Sequence, residues 1–430
     1  MISLKKISHT LAGNLLEFAA GFGITTFVTF SYSTELAGEW MWIMAIAAVQ
    51  AKIREGITQT ALVKFACNGE IQEQYKQRKL NFFITVLFEI AIFTILFILS
   101  FLFSEKYQNW YLIYGIYSFC TAIFRWQMFL WQGTLKTNNY LKTQFLAVVF
   151  TISGTAYCYL YQQDLLTLTV ILALSKFVSI YPFLDYKEKI NTFNSKISNQ
   201  HLNDIRAYAG FGLLRETTGS IASRAEMLIG GLLLTFSDVA WLGLAARYAQ
   251  LFLLPNGAIQ SLVNTRAHAL AFNDIENMKI LLGQTLTGLW LLFGIGVLIF
   301  SLTANYWVPI VHGEQYTEAI PIIILILLHT SLFVPTGGIF GTIAHALNQP
   351  KLTAKVVMLS SIVKITLTSL GLWLFGIWGG VFVPFAVEIW GIYYTGNIMK
   401  KHLDTSWSEL IFLGVNKSNL LNLEFQKSSK

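Results

Sequence analysis

Four ionisable side chains lie within one apolar stretch, residues 208–234. About 20 consecutive apolar residues are enough to cross a bilayer as a helix. This stretch is longer, yet it contains Arg215, Glu216, Arg224 and Glu226. A charge at membrane depth costs several kcal/mol unless it faces protein, a partner charge or a water-filled cavity. We therefore interpret this predicted helix as one wall of a polar passage.

Helical spacing places further polar side chains on shared faces of other predicted helices. Arg125 and Lys364 have no carboxylate three or four residues away, so we expect them to face a cavity open to solvent or ligand. The predicted stripes are Thr10, Asn14, Glu17, Gly21 and Thr25; Ser118, Thr121, Arg125, Met128 and Gln132; and Ser361, Lys364, Thr368 and Gly371.

Other charges in the apolar stretches have neighbours on their own helix. Lys52 and Glu55 are three residues apart, so we expect them to neutralise each other. Arg247 neighbours Gln250, ahead of a helix break expected at residues 255–257 (Pro-Asn-Gly).

Arg215 and Glu226 lie about three turns apart on one face, and both an ion pair and a role in the cavity remain open. Arg215 and Arg224 lie about 180° apart around a continuous helix, so both cannot point into one lumen.

The composition is that of a polytopic membrane protein. The chain has 430 residues, of which 54% are hydrophobic and only 12% are charged, where soluble domains average about 25% charged. The net charge of +7 does not indicate a nucleic-acid partner, because the basic residues lie in short loops between apolar stretches. The three cysteines lack metal or redox spacing, and no nucleotide-binding or catalytic motif is present. We expect no catalytic residues, metal or cofactor.

Hydropathy predicts twelve spans, and the loops between them set their orientation. One side contains 21 of the 30 Lys and Arg residues, whereas the other side has only Lys106. The positive-inside rule then predicts that both termini are cytoplasmic. The predicted spans are 11–31, 39–63, 80–103, 110–133, 142–162, 165–186, 207–234, 238–264, 280–303, 318–346, 353–374 and 378–399.

The chain also looks internally doubled. Residues 34–65 and residues 237–270 each begin with a turn, continue as a predicted helix and end with basic residues. This pattern is typical of transporters built from repeats. We predict an all-α membrane protein with two six-helix lobes around a central cavity. The first lobe comprises residues 1–200, the second comprises residues 201–400, and residues 401–430 form a cytoplasmic tail.

The charges within the predicted spans are more often positive than negative. Arginine offers phosphate and carboxylate groups a planar fork of donors that stays charged. A cavity with this surplus favours an anionic substrate. The cations are Lys52, Arg54, Arg125, Lys176, Arg215, Arg224, Arg247 and Lys364, and the acids are Glu17, Glu55, Glu89, Glu216, Glu226 and Glu388.

Four segments carry a resemblance to a known family, namely AGNLLEFAAGFG, STELAGEW and REGITQTALVKF near the N-terminus, and RAEMLIGGLLLTFSDVAWLGLAARYAQL in the second half. They resemble polysaccharide-unit flippases of the Wzx type, which belong to the multidrug/oligosaccharidyl-lipid/polysaccharide (MOP) exporter superfamily. The resemblance covers nearly all of residues 1–400 and rests on organisation and loose apolar patterns. It implies two lobes that work by alternating access in a bacterial inner membrane.

The resemblance also implies a polyprenyl-pyrophosphate-linked oligosaccharide, such as an O-antigen or capsule unit, as substrate. Its implied partners are membrane lipids and the polysaccharide polymerase and chain-length machinery. Lipid II flippases of the superfamily have two further helices, which twelve spans disfavour. By resemblance, Arg224 and Arg215 are the main candidates to meet the pyrophosphate or acidic sugars, and the further candidates are Arg54, Arg125, Arg247 and Lys364.

Two alternatives remain open at this stage. The first is an ion-coupled exporter of drugs or small metabolites, with Glu17, and Asn14 beside it, as the coupling-ion site. The second is a membrane-embedded polymerase or transferase of envelope sugars, for which His312 and Glu314 are the loop residues available. For either transporter, we predict that Arg125, Arg224 and Lys364 reach one aqueous cavity at mid-membrane depth.

Overall fold

The described part of the chain is helical throughout. The computed structural model describes residues 4–65, 70–101, 105–195, 197, 199–271, 274–347 and 349–416. Short 3₁₀ segments lie at Tyr181–Phe183 and Glu314–Ala319. The α-helices are α1 (Leu4–Ser31), α2 (Thr34–Phe65), α3 (Ile71–Ser100), α4 (Glu105–Gly133), α5 (Thr137–Leu160), α6 (Leu165–Ile180), α7 (Tyr186–Asn194), α8 (Asn199–Ser223), α9 (Ala225–Leu233), α10 (Phe236–Ala271), α11 (Ile275–His312), α12 (Ile320–Ala346), α13 (Pro350–Phe375), α14 (Ile377–Leu403) and α15 (Trp407–Asn416).

Each of the twelve predicted spans overlaps one of these helices, with ends that differ by up to nine residues, except that the seventh is divided between α8 and α9. Within the described ranges, eight helices are long and apolar enough to cross a membrane: α1, α3, α5, α6, α11, α12, α13 and α14. The other predicted spans correspond to α2, α4, α10 and the α8–α9 pair. These helices carry most of the cations predicted inside the spans, namely Lys52, Arg54, Arg125, Arg215, Arg224 and Arg247.

The prediction of one continuous helix over residues 207–234 is wrong. The helix is interrupted at Arg224. The Arg224 N–H donates to the carbonyl of Ile221 at 3.2 Å, which is a hydrogen bond of the 3₁₀ type, three residues back rather than four. The Ser223 hydroxyl donates to the Ser220 carbonyl at 3.0 Å. Serine side chains compete in this way for backbone groups and weaken a helix interior. Arg224 therefore lies at a junction rather than in the middle of a helix.

The expected break at residues 255–257 is also absent, since α10 continues through Pro255. A proline inside a helix removes one backbone hydrogen bond without necessarily ending the helix when packing holds both sides.

The chain divides into two compact units. The first unit extends to Arg224 and the second begins at Ala225. The predicted lobes instead meet at residue 200. The difference arises because α8 packs on α2 and so belongs to the first unit, whereas α9 packs on α13 and α10 in the second. In the first unit, α4 also packs on α6 and α1 on α5.

In the second unit, α10 packs on α12, α13 on α14, and α15 on α11. The helix α15 lies within the predicted tail, but Leu410 is fully buried in the core formed with Leu282 and Ile343. A Cβ atom at Gly283 would lie 2.2 Å from the carbonyl oxygen of Leu410, and one at Gly414 would lie 2.4 Å from the carbonyl oxygen of Gly283. Glycine is required at both positions because the two backbones are in contact.

Candidate functional site

The first unit contains a partly open ion pair between Arg125 of α4 and Glu17 of α1. Arg125 Nη1 donates to Glu17 Oε2 at 3.1 Å, and Nη2 donates to Oε1, so the guanidinium and carboxylate meet along two parallel contacts. The two side chains keep 31% and 33% of their surface exposed. Because charges facing hydrocarbon are costly, we infer that this exposed surface meets water or a ligand rather than lipid tails.

Polar groups from α5 hold the α1 side of this pair. Gln144 Nε2 donates to Glu17 Oε2 at 3.1 Å, and the Tyr140 hydroxyl donates to Asn14 Oδ1 at 2.6 Å. A Cβ atom at Gly13 would lie 2.3 Å from the Tyr140 ring, so glycine allows the ring to approach α1. Asn14 and Glu17, the predicted coupling-ion residues, therefore form one hydrogen-bonded group with α5.

A second cation lies on α6. Lys176 Nζ donates to the Tyr117 hydroxyl at 3.4 Å and lies 5.3 Å from the centre of the Tyr117 ring. A tyrosine ring attracts a cation without neutralising it. Lys176 is thus held by a neutral group and contributes positive charge to the first unit.

Arg54 occupies a different environment from Arg125. Its Nη1 donates to Glu89 Oε1 of α3 at 2.5 Å, and the two side chains are only 3% and 2% exposed. Glu89 Oε2 also accepts from Gln50 Nε2 at 2.9 Å and from the Ser118 hydroxyl at 2.7 Å. The Tyr114 hydroxyl donates to Gln50 Oε1 and extends this network. Arg54 is thus enclosed by α2, α3 and α4, and this conformation does not expose it to a substrate.

This network divides the stripe predicted on the fourth span. Ser118 bonds to Glu89, whereas Arg125 bonds to Glu17. Glu89 is the residue whose role the sequence did not reveal. Its role could have been predicted from its position, since Glu89 is a single carboxylate inside the apolar run of α3. Such a charge requires a partner on another helix.

Inside its predicted spans, the second unit contains one described ion pair. Lys364 Nζ of α13 lies 2.9 Å from Glu226 Oε1 of α9, with side-chain exposures of 20% and 16%. Because α9 begins at Ala225, Glu226 lies in its first turn, where the helix dipole stabilises a carboxylate. The interruption at Arg224 therefore creates the helix start at which Lys364 finds its partner.

Two more titratable groups lie within electrostatic range of Lys364, namely Glu388 of α14 and His329 of α12. The His329 ring lies 5.1 Å from the rings of both Phe333 and Phe385. The second unit thus brings a lysine, two carboxylates and an imidazole into one electrostatic group on four helices.

The other predicted site residues fall as follows. Arg224 is half-buried at the junction between α8 and α9, and Arg247 Nη1 donates to Gln250 Oε1 at 3.1 Å. The Arg215 side chain lies outside the described residues. The predicted pairing of Lys52 with Glu55 is confirmed, with 2.7 Å between Lys52 Nζ and Glu55 Oε2.

Arg125 and Lys364 have no carboxylate partner three or four residues away, but each has one on another helix. Glu226, which had been considered as a partner for Arg215, contacts Lys364.

His312, one of the two loop residues available to an envelope-sugar enzyme, is fully buried. Its Nε2 lies 2.5 Å from the Tyr248 hydroxyl, and its ring packs edge-on against the Tyr248 and Tyr316 rings. The imidazole therefore serves the packing of α10 against the end of α11, and it is not open to a substrate in this conformation.

Comparison with solved structures identifies the fold. An inward-facing multidrug resistance MATE family transporter of the MOP superfamily superposes with a TM-score of 0.71 at 13% identity, covering 89% of this chain and 95% of that one. The lipid II flippase MurJ, in an inward closed conformation, gives 0.67 at 17% identity, covering 96% and 90%. A MOP superfamily transporter from Pyrococcus furiosus gives 0.57 at 12% identity, covering 90% and 94%.

No family model matches the sequence, and no curated protein matches it. The chain therefore has the fold of the MOP superfamily transporters, which are multi-pass membrane proteins.

Proposed function

We propose that this protein is a flippase that moves a polyprenyl-pyrophosphate-linked oligosaccharide from the cytoplasmic to the outer leaflet of a bacterial inner membrane by alternating access. A charged pyrophosphate cannot cross hydrocarbon unaided, because removing its hydration costs many kcal/mol. Support comes from the fold shared with a lipid II flippase and from the surplus of cations inside the spans. In this proposal both termini are cytoplasmic, as the loop charges predict.

The partly exposed pair of Arg125 and Glu17 is the observation that carries the proposal. The guanidinium uses two parallel contacts on Glu17, the same arrangement of donors that would bind a phosphate. A pyrophosphate or acidic sugar can therefore displace the carboxylate from Arg125. Glu17, once released, would take up a proton or a cation, which couples substrate movement to an ion.

The other candidate cations have different roles in this proposal. Lys364 would meet the substrate in the second unit by the same exchange, with Glu226 as the carboxylate that is displaced. Arg224, Arg215 and Arg247 remain substrate-binding candidates from the resemblance. Arg54 is the weakest candidate, because Glu89 encloses it.

Deletion of the gene tests the proposal directly. We expect lipid-linked oligosaccharide to accumulate in the cytoplasmic leaflet and surface polysaccharide to fall. Normal translocation in a strain without a second flippase would contradict it.

Arg224→Ala should abolish transport at a normal protein level, whereas Arg224→Lys should retain part of it, because lysine keeps the charge and loses the planar fork.

An ion-coupled exporter of drugs or small metabolites is the second candidate, favoured by the TM-score of 0.71 with a multidrug resistance transporter. Glu17 would then be the proton or cation site, with Arg125 as the group that holds it in the empty state. A drug-susceptibility panel on the deletion strain separates the two functions. Increased susceptibility with normal surface polysaccharide would favour the exporter.

A further inference from the structure

The helix α7, the start of α3 and the connection between α4 and α5 bring three described cations close to Glu188. Glu188 of α7 accepts from Arg78 Nη1 of α3 and from Lys136 Nζ, the latter at 2.6 Å. Lys189 Nζ donates to Gln127 Oε1 of α4 at 2.6 Å and lies 4.4 Å from the centre of the Trp126 ring. Within the described part of the chain, Arg78 and Lys136 share one carboxylate, whereas the partners of Lys189 are neutral. We call these four charged residues the α7 cluster.

The environment of Lys189 disfavours its charged form. The pKa of Lys189 is lowered to about 8, chiefly by burial, and the smaller lowering effects of Arg78 and Lys136 act against the raising effect of Glu188. The Asp185 carboxylate caps the helix by accepting from the Glu188 N–H at 3.1 Å. An anion bound beside Lys189 would favour its protonated form.

The opposite face of α7 is apolar and exposed. Tyr186, Ile190 and Phe193 recur at helical spacing and keep 54%, 60% and 38% of their surface exposed. The helix thus turns its charged face towards the protein and its apolar face outwards. Such a face is stable in the boundary between lipid headgroups and acyl chains, where short amphipathic helices lie parallel to the membrane.

This apolar face is continuous with the lipid-facing surface of α3. The Phe193 ring lies 5.4 Å from the Phe82 ring and 6.4 Å from the Phe83 ring, and Phe83 is 42% exposed. α3 is one of the helices able to cross a membrane, and exposed Leu87 and Ile90 continue its outer face. The acyl chains that cover α3 would therefore also reach α7.

We propose that α7 and the α7 cluster bind the anionic phospholipid surface of the membrane, with acyl chains against Ile190 and Phe193 and a phosphate headgroup beside Lys136 and Lys189. Two independent observations support an anionic phospholipid as the occupant. The α7 cluster is complementary to an anion, and the exposed apolar face of α7 is continuous with that of α3, a helix able to cross a membrane. The loops predicted to be cytoplasmic include these residues. This binding surface uses none of the residues assigned to transport.

The test is lipid retention, measured by native mass spectrometry on the full-length protein extracted from vesicles of phosphatidylcholine with phosphatidylglycerol. Lys136→Gln should lower retained phosphatidylglycerol about fivefold relative to phosphatidylcholine, because one basic side chain near an anionic surface contributes on that order. The Lys136 side chain is 38% exposed, so its loss should leave the fold intact. Glu188→Gln should retain at least as much phosphatidylglycerol as the wild type, since it removes a negative charge.

Two further variants sharpen the test. Ile190→Ser should lower retention of both lipids, because it interrupts the apolar stripe without removing a charge. Lys400→Gln serves as the matched control, since Lys400 is an exposed lysine at the end of α14, and it should change nothing. Wild-type lipid retention in Lys136→Gln would overturn the proposal. It would also be overturned if inorganic phosphate displaced the phosphatidylglycerol while Ile190→Ser behaved like the wild type, because that would indicate an anion site without a lipid surface.

Discussion

Inside the predicted spans of the first unit, two described arginine–glutamate pairs differ chiefly in their exposure. Arg54 and Glu89 are 3% and 2% exposed, whereas Arg125 and Glu17 are 31% and 33% exposed. In the enclosed pair the carboxylate accepts two further hydrogen bonds, from Gln50 and Ser118, whereas Glu17 of the open pair accepts one, from Gln144.

In the open pair about one third of each side chain is exposed, so we expect water to reach the guanidinium and the carboxylate when they separate. Breaking a buried pair costs about 3–5 kcal/mol, whereas exposed pairs are worth about 0–1 kcal/mol. The comparison teaches that the same two residue types can hold a fold together at one position and remain exchangeable at another. Solvent access and the number of additional hydrogen bonds distinguish the two roles.

The largest expected effect is on stability, from Arg54→Ala. Removing the guanidinium leaves Glu89 charged in an enclosed network, so we expect the free energy of unfolding to fall by about 3–5 kcal/mol. The measurement is thermal unfolding of the purified protein, together with its level in the membrane. A double variant, Arg54→Met with Glu89→Gln, should recover most of this loss, because the amide is neutral and keeps an acceptor for Gln50 and Ser118. If the double variant were as unstable as Arg54→Ala, the ion pair would not be the cause.

The sequence predicts structure that depends on neighbouring residues better than contacts between residues far apart in the chain. Hydropathy located the helices because an apolar run of sufficient length is a local property. The pair of Lys52 with Glu55 was predicted correctly for the same reason, since both residues lie on one turn. Arg125 and Glu17 are 108 positions apart, and only the packing of α1, α4 and α5 brings them together.

The break at Arg224 was missed because hydropathy continues smoothly across it. Its determinants are the backbone hydrogen bonds of Ser223 and Arg224, which do not alter the apolar character of the segment. The helix start that gives Glu226 its position was therefore missed as well. The convergence of Arg125, Arg224 and Lys364 on one cavity stays a prediction.

Lys364→Gln should give an intermediate result, because Lys364 and Glu226 are 20% and 16% exposed and thus lie between the two arginine pairs. We expect a loss of about 1–2 kcal/mol in unfolding free energy, between the values for exposed and buried pairs. Transport should fall several-fold through loss of a cation that meets the substrate. Thermal unfolding and transport should be measured on the same preparation. A stability loss as large as that of Arg54→Ala, or transport at the wild-type level, would contradict the intermediate role.

Lys52→Gln should have the smallest effect. The Lys52 side chain is 50% exposed, and its pair with Glu55 is local to one helical turn. Such pairs contribute about 0.2–0.5 kcal/mol, so unfolding temperature and transport should both match the wild type within error. A clear loss of transport would show that Lys52 belongs with the exchangeable cations and would extend the open site along α2.

The most direct test of the exchangeable pair is transport by purified Arg125→Ala, measured as flipping of a polyprenyl-pyrophosphate oligosaccharide in proteoliposomes and expressed per folded molecule. Loss of a charge-assisted contact worth about 1.5–3 kcal/mol predicts a fall of at least about tenfold, with an unfolding temperature close to that of the wild type. The double variant at Arg54 and Glu89 should retain transport near the wild-type rate. The opposite outcome, with normal flipping by Arg125→Ala and no flipping by the stable double variant, would contradict the assignment of the two pairs.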